Sequence, residues 1–218
     1  MSTDRIPFRL YAITDRLQLG NRPLAEALEM LGRAGLKGGE VREKDLDEAA
    51  LGELATACGT VMDRYRIAWL VNGPPAVALA AGATGVHVPA PGDAAAARAA
   101  VGLERLVAQS AHGVAEARSA ARAGADFVVV GPIFETPSKA LFGPPLGTGV
   151  LAAACAAAAP VPVFAIGGVT PERSRACLEA GAAGVAVLGP LMRAAAGTSP
   201  EGMAREVLAR YADALGAL

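Results

Sequence analysis

The residue best suited to proton transfer in this sequence is His112, which comes two positions after the apolar run Leu106–Ser110. Imidazole is the side chain that exchanges protons near neutral pH. The other histidine, His87, lies within Gly85–Val88 (GVHV) and is predicted to belong to a strand wall. Spacing leaves open the alternative that His112 is an exposed loop residue with no chemical role.

A second feature, the stretch Val128–Gly147, is suited to binding an anion. It begins as a continuous β-branched run and then becomes a long loop that carries Thr136, Ser138 and Lys139. A buried strand that ends in a loop with hydroxyls and a lysine is typical of a phosphate site in an α/β protein, and loops of this length are usually functional. A surface crossover with incidental polarity is the alternative.

Glycines near two later strand ends suggest backbone contacts to a phosphate. Gly168 follows Gly167 and precedes Thr170-Pro171, a pattern typical of a helix start with free N–H groups. The last apolar run ends in Leu188 and Gly189. Phosphate sites of parallel barrels are often built after strands seven and eight, although a Gly-Gly pair also occurs in simple tight turns.

Polar side chains also follow the second, third and fifth apolar runs. The second delivers Glu40, Arg42 and Lys44 in alternation, which predicts that all three face one side. The third ends at Asn72 and the fifth at Ser110. We expect these residues to line one pocket.

The acidic residues near strand ends predict no metal site, because no two of them share a metal-ligand spacing. They are Asp15, Glu40, Asp93 and Glu135.

Eight short apolar runs alternate with alanine-rich segments of helical periodicity, and this predicts a single (β/α)8 TIM barrel over residues 1–218. The third helix must be very short, since only 15 positions separate Asn72 from His87. A doubly wound open sheet would leave the eighth run unexplained. The runs are Arg9–Thr14, Gly38–Arg42, Ile67–Val71, Gly85–Val88, Leu106–Ser110, Phe127–Val130, Val161–Ile166 and Gly184–Leu188.

Composition excludes several classes of function. The 218 residues are 53% hydrophobic with a net charge of −1, which gives no reason to expect nucleic acid or a membrane surface as a partner. No apolar run reaches membrane-spanning length, and the first residues lack the order of a signal peptide. The three cysteines fit neither a disulfide framework nor a metal knuckle, so we expect a reducing cytoplasm.

The order of these motifs resembles the thiamine-phosphate synthase superfamily from about Leu10 to Met192. The most specific segments are GADFVVVGPIFETPSK and AIGG, and the others are YAITDR, EVREKDL, VNG, GATGVHV, AQSAH and GVAVL. The resemblance implies a TIM barrel and suggests a homodimer. It offers two enzyme branches: a synthase that joins a pyrimidine diphosphate to a thiazole phosphate with Mg²⁺, and a thiazole tautomerase that moves a proton within a carboxythiazole phosphate.

Departures from the synthase pattern favour the tautomerase branch, an isomerase without a cofactor. Glu40 stands where the synthase has glutamine, and Gly73 stands where it has a metal-binding aspartate. Asp93 is the one carboxylate near the second metal position. Stabilising a leaving diphosphate requires neutralising charge, and Gly73 removes one means of doing so. The alternatives are a synthase that uses Mg²⁺ through Asp93 and a non-catalytic homologue that binds thiazole phosphate.

The tautomerase interpretation implies a role for each candidate residue. His112 shuttles the proton, and the N–H groups of Gly168 and Gly189, beside Leu188, bind the thiazole phosphate. The remaining candidates hold the substrate carboxylate or line the pocket, and they are Arg42, Lys44, Asn72, Ser110, Thr136, Ser138 and Lys139.

Overall fold

The computed structural model describes residues 5–136 and 144–216, and in this part of the chain eight parallel strands form a closed barrel in sequence order. The first strand also pairs with the eighth, which completes the closure. The predicted TIM barrel is confirmed. The strands, β1 to β8, are Leu10–Ile13, Gly38–Val41, Ala68–Asn72, Gly85–Val88, Leu106–Ala111, Phe127–Val130, Val163–Ile166 and Gly184–Val187.

Helices cover the outside of the barrel, and a short 3₁₀ helix, Arg16–Leu19, follows β1. The third helix has only six residues, as its spacing predicted. Among the described residues, each helix is either too short or too polar to span a bilayer. The helices, α1 to α9, are Leu24–Arg33, Glu48–Arg64, Pro75–Ala80, Ala94–Val101, Val114–Arg122, Gly147–Ala158, Pro171–Glu179, Gly189–Ala196 and Pro200–Leu215.

Local sequence signals fix several helix boundaries. Pro171 occupies the first turn of α7, where its missing N–H has no helical partner to lose. Gly35, Gly124 and Gly181 follow helices with φ of +102°, +91° and +93°, a left-handed conformation that side chains with a Cβ rarely adopt. Because the helices begin and end at these residues, the strands between them are short, and together they form the closed barrel.

Aromatic side chains fill the amino-terminal end of the barrel interior. The rings of Phe8 and Tyr11 stack with centroids 5.4 Å apart, and Phe127 lies 5.3 Å from both Tyr11 and Phe164. All four residues are at most 3% exposed. Since the interior is apolar at this end, polar groups and ligand sites are left to the carboxyl ends of the strands.

Candidate active site

The centre of the candidate site is Glu40, a carboxylate that is 1% exposed inside the barrel. The Tyr11 hydroxyl donates to its Oε2 at 3.0 Å, and Asn72 Nδ2 donates to its Oε1 at 3.4 Å. His87 Nδ1 also contacts Oε2 closely. Three strands therefore direct polar groups from β1, β3 and β4 at one carboxylate on β2.

The surroundings of Glu40 favour its ionised form. Burial alone would raise its pKa, but the charge and hydrogen bond of His87, the Tyr11 hydroxyl and the charge of Arg42 together hold the pKa of Glu40 below its ordinary value. Burial and the adjacent carboxylate raise the pKa of Tyr11 well above its usual range, so its phenol stays protonated and donates. The site thus contains a fixed buried negative charge.

Ser110 connects this buried cluster to the barrel mouth. Its Oγ lies 2.9 Å from Nε2 of His87, whose other nitrogen contacts Glu40. Ser110 is the fifth residue of β5 and is partly exposed, whereas the side chain of His87 is only 2% exposed. A continuous polar path therefore runs from Glu40 to a hydroxyl that a ligand can reach.

Arg42 follows β2 directly and is held through its backbone. Its N–H donates to Thr14 Oγ1 at 2.9 Å, and the Thr14 hydroxyl donates to Glu43 Oε1 at 2.7 Å. Glu43 is 4% exposed and also accepts the backbone N–H of Arg16 at 3.0 Å. In the described ranges, no hydrogen bond or ion pair engages the Arg42 side chain. This guanidinium is therefore available to an anionic ligand.

The loops after β6 and β7 approach each other closely at two glycines. Gly167 and Gly168 have φ of +93° and +63°, and a Cβ on Gly168 would lie 2.3 Å from the carbonyl oxygen of Glu135. Arg173 donates to the Gly168 carbonyl at 2.8 Å, and its guanidinium lies 5.0 Å from the Phe134 ring centroid. Glycine is required here both by conformation and by space.

Gly189 begins α8, so its N–H has no partner within the helix. Leu188 precedes it and is partly buried. A Cβ on Gly189 would lie 2.6 Å from Nη1 of Arg193, which places a guanidinium beside this turn. The ends of β7 and β8 thus combine backbone donors with arginine side chains, a combination suited to a phosphate.

The structure places the other predicted residues in different surroundings. His112 lies just beyond β5, where its side chain is 49% exposed and its Nδ1 is 3.5 Å from Glu116 Oε2. It is not part of the Glu40 cluster. Lys44 is exposed and Thr136 is partly buried, and both interact with other groups of the protein. Ser138 and Lys139 lie outside the described residues.

The sequence interpretation missed the roles of Tyr11 and His87. It assigned His87 to the barrel wall because valines flank it. In a four-residue strand, however, strict alternation places Gly85 and His87 on one face and the valines on the other. That alternation, together with the one small residue on the same face, was the available signal that His87 points into the barrel.

The residues near the expected Mg²⁺ position do not fit a metal bound by two carboxylates. Gly73 contributes no side chain, and Oδ1 of Asp93 accepts from the N–H groups of Ala95 and Ala96 at 2.9 and 3.1 Å as the cap of α4. Across the described ranges, no three His, Cys, Asp or Glu side chains converge.

Cys58 and Cys177 are buried thiols and do not supply a nucleophile to this site. Burial, assisted by the charge of Glu43, raises the pKa of Cys58 to about 12. Burial, with a smaller effect of Cys155, raises the pKa of Cys177 to about 11. Both side chains remain thiols at neutral pH and are inert in that form.

A family model and the curated relatives point to one family, and solved structures show the same fold. A family model described as thiamine monophosphate synthase matches residues 10–191. A putative thiamine-phosphate synthase of Geobacter sulfurreducens is 42% identical over 94% of this chain and 95% of its own. The thiamine-phosphate synthase of Roseiflexus castenholzii is 36% identical over 88% and 86%. A thiamine phosphate pyrophosphorylase structure from Pyrococcus furiosus superimposes with a TM-score of 0.82 at 24% identity, covering 98% and 100%.

These comparisons overturn the expectation of a thiazole tautomerase, and with it the isomerase class. Relatives 33–42% identical over most of the chain are named thiamine-phosphate synthases, and the synthase alternative fits better. The expectation rested on the missing carboxylate at Gly73. A carboxylate at position 73 would bring positive charge to the mouth by holding a metal. Arg42 brings positive charge there without a metal. Glycine at position 73 therefore does not identify an isomerase.

Proposed function

Because the chain belongs to the thiamine monophosphate synthase family, we propose that it is a thiamine-phosphate synthase. This transferase joins a pyrimidine diphosphate to a thiazole phosphate through a new carbon–nitrogen bond and releases diphosphate. The main support for the proposal is the 42% sequence identity to a putative thiamine-phosphate synthase along 94% of the chain. Both substrates are small molecules with phosphate groups, which suits a barrel mouth lined by arginines and backbone donors.

Arg42 is suited to stabilise the diphosphate that leaves. Negative charge develops on the leaving oxygen as the carbon–oxygen bond breaks, and a positioned cation lowers the energy of that state. Thr14 fixes the backbone of Arg42 through a 2.9 Å hydrogen bond, while its side chain bonds to no described residue. The guanidinium therefore binds the diphosphate without first breaking a hydrogen bond to any residue of the described ranges.

The glycine turns after β7 and β8 are suited to hold the phosphate of the thiazole substrate. Gly168 packs too closely against the β6–α6 loop to accept a side chain, and Gly189 begins α8. A phosphate held there would fix the thiazole ring relative to the pyrimidine, which removes much of the entropic cost of joining two molecules. Asn72 and Ser110 then contact the groups between the two anchors.

The decisive experiment incubates the purified protein with the pyrimidine diphosphate and the thiazole phosphate and measures coupled product and released diphosphate. We expect equal amounts of both, and neither product when one substrate is omitted. The reaction is run with Mg²⁺ and with a chelator. Diphosphate release without the thiazole substrate would indicate a hydrolase. Ligand binding with no coupling under any condition would indicate a non-catalytic homologue.

We also propose that the protein is a cytoplasmic homodimer that binds neither nucleic acid nor membranes. The family resemblance suggests the dimer, and the three free thiols support a reducing compartment. Sedimentation equilibrium tests the dimer directly, since a single species of the monomer mass would contradict it.

A further inference from the structure

Arg173, in the first turn of α7, contacts both the glycine turn after β7 and the loop after β6. Its Nη1 donates to the Gly168 carbonyl at 2.8 Å, and its guanidinium carbon lies 5.0 Å from the centroid of the Phe134 ring. Among the described residues, no carboxylate forms an ion pair with this guanidinium. One side chain therefore connects two segments that follow different strands.

The backbones of these two segments also contact each other. The Ile133 N–H donates to the Ile166 carbonyl at 2.8 Å, and the Phe134 N–H donates to the Gly167 carbonyl at 2.9 Å. The next carbonyl along the turn, that of Gly168, accepts from Arg173 instead. The arginine side chain thus continues a series of hydrogen bonds that the backbone begins.

These donors fix the orientation of two successive peptide groups. The Gly167–Gly168 and Gly168–Val169 peptides are trans, so the N–H of each points away from its carbonyl. Phe134 holds the first carbonyl and Arg173 holds the second. The N–H groups of Gly168 and Val169 therefore point away from these donors, and neither donates to a group of the described ranges.

The two glycines would not keep this orientation by themselves. Gly167 and Gly168 have φ of +93° and +63°, and residues without a Cβ can adopt many other conformations. An N–H group that binds an anion loses affinity if it has to be ordered at the moment of binding. A donor that holds the Gly168 carbonyl in advance avoids that cost.

We propose that Arg173 is a positioning residue, which orients the Gly168–Val169 peptide so that its N–H donates to the phosphate of the thiazole substrate. The identity of this phosphate rests on the proposed function. Arg173 acts through the peptide and through the Phe134 ring, which keeps the guanidinium in place by a cation–π contact. The proposal assigns it no contact with the phosphate itself.

Binding is measured by adding inorganic phosphate to ¹⁵N-labelled protein and following the amide signals of Gly168 and Val169. We expect both signals to shift in the wild-type protein, and the Kd to rise about 10-fold in Arg173→Gln, a loss typical of one hydrogen bond to a charged group. Unchanged phosphate affinity in this variant would overturn the positioning role.

The matched control for charge is Arg175→Gln. Arg175 lies on the same helix, its side chain is 83% exposed, and it pairs with Glu179. Its removal changes the net charge by the same amount, so we expect wild-type phosphate affinity. An equal loss of affinity in both variants would show that only the charge of α7 matters and would overturn the proposal.

Kinetics distinguish positioning from a structural role. In the coupling reaction, we expect Arg173→Gln to raise the KM for the thiazole phosphate about 10-fold, with unchanged kcat and unchanged KM for the pyrimidine diphosphate. A lysine keeps the charge but has no planar group to lie on the Phe134 ring, so Arg173→Lys should recover only part of the loss. Full recovery, or a KM change that affects both substrates equally, would overturn the positioning role.

The outcomes separate this proposal from the proposed function. Phosphate binding that depends on Arg173, without coupling of the two substrates, would support the positioning role and refute the synthase. Coupling by Arg173→Gln with wild-type KM values would do the reverse. If phosphate shifts neither the Gly168 nor the Val169 signal of the wild-type protein, the positioning role is wrong whether or not coupling occurs.

Discussion

The Thr14 hydroxyl lies 2.7 Å from Oε1 of Glu43, and this hydrogen bond links the end of β1 to the turn that carries Arg42. The variant Thr14→Val keeps the side-chain shape but removes the donor to a buried carboxylate. We expect a loss of about 1–3 kcal/mol in the free energy of unfolding, measured by urea titration, together with slower coupling. Thr14→Ser should restore both, and an equally damaged serine variant would contradict this role.

Arg42→Gln tests whether this guanidinium neutralises the leaving diphosphate. Loss of one preorganised group of this kind typically lowers turnover about 100-fold, and we expect a decrease of that order in the coupling rate. The matched control is Arg118→Gln, since Arg118 is an exposed arginine in the middle of α5. Equal rates for the two variants would remove Arg42 from the mechanism.

Substitutions of Asp93 distinguish its role as a helix cap from a role as a metal ligand. Asp93→Asn keeps an oxygen for the N–H groups of Ala95 and Ala96, so we expect unchanged stability and an unchanged dependence of activity on Mg²⁺ concentration. Asp93→Ala should lose about 1 kcal/mol of stability through the missing cap. A large shift of the Mg²⁺ activation curve in Asp93→Asn would show that the carboxylate holds metal.

Gly168→Ala tests the close approach of the two loops. The φ of Gly168 is +63°, which is left-handed, and a methyl group at this position would lie only 2.3 Å from the Glu135 carbonyl oxygen. We expect a stability loss of about 1–3 kcal/mol and a raised KM for the thiazole phosphate. Gly149→Ala, where a Cβ meets nothing within 4 Å on α6, serves as the control.

Glu40→Gln tests the linkage between the buried carboxylate and acid stability. Since the folded-state pKa lies below the ordinary value of about 4.3, ionised Glu40 stabilises the fold above that value. The contribution is lost as the pH falls through the folded-state pKa. We expect the difference in unfolding free energy between wild type and Glu40→Gln to shrink below about pH 4. A difference that is constant with pH would contradict this linkage.

The fold was predictable because its signals are local. The short third helix followed from the spacing of Asn72 and His87, and the glycines at 35, 124 and 181 marked helix ends through their left-handed conformation. Each of these features depends on a few adjacent residues. No knowledge of the closed barrel was needed to recognise them.

The candidate site was only partly predictable because its contacts are long-range. Glu40 meets His87 and Tyr11 only after β1, β2 and β4 close into one barrel. By contrast, the cap that Asp93 forms and the approach of His112 to Glu116 join residues at most four positions apart, so these signals were local and the sequence interpretation did not use them. The sequence interpretation took Gly73 as a missing metal ligand, and the tautomerase function that it drew from this glycine was wrong.

The packed rings of Phe8, Tyr11, Phe127 and Phe164 close the amino-terminal end of the barrel interior. Among the described residues, Ser110 and Arg42 are partly exposed near the opposite, carboxyl-terminal end, so we expect a ligand to approach Glu40 from that end. If two substrates bind inside the barrel, the one that lies deeper must bind first, and the product nearest the opening dissociates first. Steady-state kinetics should therefore follow a compulsory order of addition.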